Sequence, residues 1–129
     1  MKEVIICETL EEAVRGSDII SESVSVKPGQ YPTYKKEWLK PGVTLIATSF
    51  FNMDKKELVS IRKVVDNWKM YEEYGIEDEE GYDENGMRKA TGCMGEEFYY
   101  MVEDGLITRD SIDHLGEICL LYTSDAADE

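Results

Sequence analysis

Three short β-branched runs limit what this chain can fold into. They are Ile19-Ile20 with the alternating stretch through Val24 and Val26, Val43-Thr-Leu-Ile-Ala-Thr48, and Lys63-Val-Val-Asp66. Each reads as a strand, and the segments between them are too long for hairpin turns. Parallel pairing needs such crossovers, so the expected fold class is α/β with a parallel sheet. The middle run is apolar throughout, as in strands covered on both faces, and Ile19 to Val24 is read the same way. Ligands of open parallel sheets bind beyond the carboxyl ends of the strands. That rule selects Ser23 to Ser25, Thr48 to Phe51, and Asp66 to Trp68.

Local punctuation fills in the rest. Glu3 to Cys7 is a short β-branched run read as a strand, and Thr9-Leu-Glu-Glu12 has the Thr-x-x-Glu form of a capping box. A helix from Leu10 to Arg15 is expected to end at Gly16, the Pro- and Gly-rich stretch Lys27 to Thr33 to form a loop, and Lys40-Pro41-Gly42 to turn into the middle strand. Trp68, Met70, Tyr71 and Tyr74 have helical spacing, followed by Gly75 and an acidic stretch from Glu77 to Gly86. Met94 to Val102 and Ser111 to Ile118 read as helices separated by a turn at Glu103-Asp104-Gly105.

Charge and composition exclude several function classes. Of 129 residues, 28 are acidic and 14 basic, a formal net charge of −14, which opposes binding to nucleic-acid phosphates. An apolar fraction of 42% suffices for one core, yet no run approaches the ~20 apolar residues of a membrane span. Glu3 and Glu8 flank the only early apolar run, so nothing reads as a signal peptide. Cys7, Cys93 and Cys119 are an odd set without CxxC spacing, which fits a reducing cytoplasm better than a disulfide framework or a zinc site.

Most motifs reduce to ordinary structure. Setting Gly86 of the acidic stretch at the invariant glycine of a calcium loop puts Gly81 at the first ligand and Gly92 at the bidentate glutamate, so a solvated loop is expected. His114, the only histidine, sits at an expected helical position without a second histidine or a serine nucleophile motif, and is read as structural or surface. Cys93 precedes a helix start, where thiols become reactive, but a small packing residue is the commoner case. Trp68, Tyr71 and Tyr74 suit a core or interface, while Asp66-Asn67 at a strand end suits a bound ligand.

Three blocks together resemble the second half of the dinucleotide-binding domain of the ornithine cyclodeaminase/mu-crystallin family. They are Glu11-Glu-Ala-Val-Arg-Gly-Ser-Asp18-Ile-Ile, Glu37-Trp-Leu-Lys-Pro-Gly42-Val-Thr-Leu-Ile-Ala47, and Lys63-Val-Val-Asp66, with Leu115-Gly-Glu117-Ile118 as a fourth match. Val65-Asp66-Asn67-Trp68-Lys69-Met70-Tyr71 is most similar to the family members named as tyramine oxidase subunits. From Cys119 the sequence resembles a translated sequencing-library adapter. Residues 1–118 are therefore expected to be the C-terminal part of an incomplete Rossmann-like NAD(P)-binding domain, and 119–129 a foreign tail.

The resemblance implies a nicotinamide dinucleotide, NAD or NADP, across the strand ends, a small amine or amino-acid substrate, and a homodimer in the full-length parent. The family's Thr-Ala-Thr falls on Glu22-Ser23-Val24, leaving a hydroxyl at Ser23 and an acid at Glu22. The cofactor contacts implied are Ser23, Val24, Thr48, Ser49 and Asp66, with Ser25 on the same shelf. The glycine-rich pyrophosphate loop is expected upstream, so the chain as given should bind a dinucleotide weakly. In cyclodeaminases the strand after Leu-Lys-Pro-Gly leads to an acid–base aspartate, and equal spacing puts Phe51 there, with Asp54 displaced by three residues. A phenyl ring transfers no proton. The leading expectation is an oxidoreductase subunit, with an ornithine cyclodeaminase and a non-catalytic partner subunit as alternatives. No catalytic or metal-ligating residue is assigned.

Overall fold

The computed structural model describes residues 3–77, 81–86, 89 and 91–120. They divide into two compact units. The first runs up to Leu58 and includes Gly92–Met94, and the second takes Val59–Thr91 and the chain from Gly95 onward. Each contains a pair of parallel strands, so the fold class is α/β as expected of a Rossmann-like domain.

In the first unit, α1 (Leu10–Val14) begins where Thr9 Oγ1 accepts the Glu12 N–H at 3.1 Å. The Glu12 carboxylate reaches back to the N–H of Glu8, one residue before the position expected of a capping box. Gly16 then takes φ 76°, a left-handed conformation that a side chain would resist, and leads into β1 (Ile19–Glu22). β1 pairs in parallel with β2 (Thr44–Ala47), Ile19 opposite Thr44 and Glu22 opposite Ala47. Gly42, at φ 81°, makes the turn before β2, where the Val43 N–H donates to Lys40 O at 3.2 Å. α2 (Lys55–Val59, all but its last residue in this unit) follows. Val14, Ile20, Tyr34, Phe51, Met53, Leu58 and Met94 are the buried apolar residues here.

In the second unit, β3 (Lys63–Val65) pairs in parallel with β4 (Ile112–His114). Two ten-residue helices, α3 (Trp68–Glu77) and α4 (Met94–Glu103, all but its first residue in this unit), supply most of the core. Val65, Trp68, Tyr99, Tyr100 and Ile112 form a buried cluster against which Tyr71, Phe98, Val102 and Ile107 pack. α4 ends in a turn at Gly105, φ 72°, where the N–H groups of Gly105 and Leu106 donate to Val102 O and Met101 O.

Several expectations are corrected. Glu3 to Cys7 is not a strand: no ladder partner reaches it among the described residues, and Ile6 stays 92% exposed. β1 stops at Glu22, leaving Val24 and Val26 outside. β2 is not covered on both faces, since only Leu45 is half-buried and Ile46 is 48% exposed. A sheet of two strands has too little around it to bury both faces. Ser111 to Ile118 is not one helix. It opens as a 3-10 turn, Arg109–Ser111, passes through β4, and becomes helical only from 115 to 120. His114 therefore lies on a strand, where its Nε2 meets Arg109, whose guanidinium sits 4.5 Å from the Trp68 ring centre. Asp78, Glu79 and Glu80 of the acidic stretch, and the tail from Leu121, lie outside the described residues.

Candidate functional site

The carboxyl ends of β1 and β2 are adjacent because the strands are parallel and in register, with the Thr48 N–H extending the ladder to Glu22 O at 3.0 Å. Ser23, Val24, Thr48 and Ser49 are thereby brought to one strand end. Ser23, Val24 and Thr48 are exposed and Ser49 is half-buried. The centre of the arrangement is Glu22. Strand alternation puts it on the same face as Ile20, and both are buried, Glu22 to 2% exposure.

Its carboxylate is held by the chain itself. Oε1 accepts the Val24 N–H at 2.8 Å, while Oε2 accepts the Phe50 N–H at 3.0 Å and the Ser49 hydroxyl at 2.5 Å. The Val24 carbonyl lies 3.0 Å from the same hydroxyl oxygen. A buried carboxylate is tolerable only when its lone pairs are met in this way. The loop after β1 then joins the segment after β2. The Tyr34 N–H donates to Asn52 O at 2.8 Å, and Asn52 Nδ2 donates to Tyr31 O at 3.1 Å and Thr33 Oγ1 at 3.2 Å. Tyr31 faces Phe50 with ring centres 5.4 Å apart, and Tyr34 meets Phe51 edge-on at 4.9 Å. Burial, with the Glu22 charge adding to it, pushes the Tyr34 phenol above its ordinary range. Gly92–Met94 joins the same place: Met94 N–H donates to Ser49 O, and Gly92 O accepts the Tyr31 hydroxyl at 3.5 Å.

Asp66 belongs to the second unit, at the end of β3. Its Oδ1 accepts the Tyr71 hydroxyl at 2.8 Å and the Asn67 N–H at 2.9 Å. The Tyr71 bond is the main reason that its carboxyl lies below the usual range; burial opposes it, and the backbone bonds add to the lowering. Phe51, which equal spacing from Gly42 leads one to expect at the place of the cyclodeaminase aspartate, is 2% exposed and belongs to the core. From the sequence Glu22 reads as an intruder among expected cofactor contacts, whereas in the folded chain it is the group on which Val24, Ser49 and Phe50 converge. The signal lay in its spacing of two from Ile20. Tyr34 and Asn52 carry no comparable signal, since their roles depend on loops that meet only in the folded chain.

A family model for the ornithine cyclodeaminase/mu-crystallin family matches residues 1–120. The chain belongs to this family. Comparison with curated proteins and with solved structures gave no match. Family members generally bind NAD or NADP. The residues at the β1–β2 end do not fit the phosphates of such a cofactor. The amides of Val24 and Phe50 and the hydroxyl of Ser49, the groups able to hold an anion, already hold Glu22. They do fit an uncharged portion, because Ser23 and Thr48 expose hydroxyl-bearing side chains beside them. Among the described residues no group of three or more His, Cys, Asp or Glu could hold a metal ion, and no helix is long and apolar enough to cross a membrane.

Proposed function

We propose that this member of the ornithine cyclodeaminase/mu-crystallin family is a subunit of a cytoplasmic oxidoreductase, similar to the tyramine oxidase subunits of the family, that uses NAD or NADP and acts on a small amine or amino acid. The observation that carries the choice among family activities is Phe51. The side chain at the place of the acid–base aspartate is a phenyl ring packed against Tyr34 in the core, which cannot take a proton from a substrate ammonium group or return one. Asp54 does not replace it, since its carboxylate accepts the Lys56 N–H at 2.9 Å and belongs to the start of α2. The part of the dinucleotide that suits this strand end is the ribose or the nicotinamide carboxamide, held by Ser23 and Thr48. The cofactor supplies hydride transfer when bound, and these residues would orient it.

The test is an assay of the full-length gene product with tyramine and other small primary amines, following NADH or NADPH formation, beside ornithine with ammonia as the readout. Reduced dinucleotide from an amine, without ammonia from ornithine, supports the reading. Ammonia and proline from ornithine would overturn it. Copurification with a second polypeptide and no turnover alone would assign the chain to a non-catalytic partner.

A further inference from the structure

The end of the β1–β2 sheet is built as an anion site, and the chain supplies the anion. Three donors from two strand ends converge on one carboxylate: the backbone N–H groups of Val24 and Phe50 and the hydroxyl of Ser49, at 2.8, 3.0 and 2.5 Å. Backbone amides converging on one anion, here one on each carboxylate oxygen, form the kind of concavity that binds phosphate or carboxylate in other settings. Among the described residues no ammonium or guanidinium group bonds Glu22, so its charge is met by these dipoles. Its negative charge is also felt by the neighbouring Tyr34 phenol.

We infer that Glu22 is a specificity-determining residue: it fills an oxyanion nest from within and thereby excludes phosphate from the β1–β2 strand end, reserving the Ser23 and Thr48 shelf for uncharged ligand groups. The donors can satisfy one anion at a time. A second anion beside a carboxylate out of water would meet repulsion that solvent screens poorly. The inference rests on the nest and its occupant and does not need the dinucleotide reading. It stands whether the ligand at the shelf is a ribose, a carboxamide or a substrate. Removal of the Glu22 side chain opens the nest to oxyanions of carboxylate or phosphate type.

The test uses the chain in three forms. In the parent chain the backbone amide resonances of Val24 and Phe50 are followed by NMR while inorganic phosphate is added. They are expected to stay in place beyond the shift that sodium chloride gives at matched ionic strength. Glu22→Ala should melt lower than the parent, and formate or phosphate, but not chloride, should restore at least half of the lost midpoint in a saturable manner. Glu22→Gln, whose amide still fills the space, should show no saturable response. Saturable phosphate-induced shifts of both amides in the parent chain would overturn the inference. So would a Glu22→Ala chain, folded or unfolded, that responds to formate and phosphate no more than to chloride.

Discussion

Gly75 of α3 lies against the ring of Tyr99 on α4, so close that a β-carbon at position 75 would overlap the ring carbons. The exchange is reciprocal one turn earlier, where Gly95 of α4 receives the ring of Tyr71 from α3. Two glycines thus let two helices approach through two tyrosines. Alanine at 75 would gain about 1 kcal/mol of helix propensity. It would lose more through overpacking, ~1–3 kcal/mol, because Tyr99 is backed by Trp68 and Tyr100 at ring separations of 6.1 and 5.6 Å and has little room to retreat. Gly75→Ala is therefore expected to lower stability by up to about 2 kcal/mol in chemical denaturation, and a raised midpoint would show that the ring can move.

Phe51→Asp restores the residue type expected of a cyclodeaminase but should not restore the activity. Loss of a buried phenyl ring costs ~3–5 kcal/mol, and the new carboxylate would be buried without arranged donors. That is a large part of the stability of an ordinary domain. The expected result is a strongly destabilised chain, and a full-length variant that releases no ammonia from ornithine. Ammonia release from a folded variant would show that position 51 can face a substrate.

The Asp66–Tyr71 hydrogen bond makes a pH-dependent contribution of known sign. The folded carboxyl lies below its ordinary value of 3.8, so the unfolded chain binds the proton at higher pH than the folded one. The contribution is present above the ordinary value and is lost as pH falls through the lower folded value. Tyr71→Phe should raise the Asp66 titration midpoint toward the ordinary value in a carboxyl-carbon NMR titration. The stability difference between the two chains should narrow as acid is added.

Lys63 gives the same direction with pH in an alkaline window, but from burial that disfavours its charged form. Its buried side chain, whose Nζ donates to Val59 O at 3.1 Å and Ile61 O at 2.7 Å, is driven below its ordinary value of 10.5 by burial. Between the lowered folded value and 10.5 the unfolded state binds more protons, so this residue's contribution rises with pH across that alkaline window. Relative to Lys63→Met, the parent chain should gain stability as pH climbs toward 10.5. A difference independent of pH in that range would mean that burial does not disfavour the charged ammonium.

Much of the local structure was legible from the residues because it depends on near neighbours. Thr9 caps α1 and the glycines at 16, 42 and 105 take the left-handed turns that end or introduce elements, each for reasons held within a few positions. The runs at 19 and 44 became a parallel pair, which the long connection between them permits, whereas the run at 63 found its partner in β4. Tertiary structure decided what a strand run cannot specify alone, namely whether a partner comes. Val4 to Ile6 has the composition of a strand and no ladder among the described residues, while Ile112 to His114, hidden in a segment with helical spacing, became one because β3 lies beside it. The strand-end site followed the same division. Parallel topology brought Ser23, Val24, Thr48 and Ser49 together, as the strand pattern predicted. Only the folded chain decided that Glu22 would be buried among their donors, because a carboxylate's burial depends on amides that distant residues deliver to it.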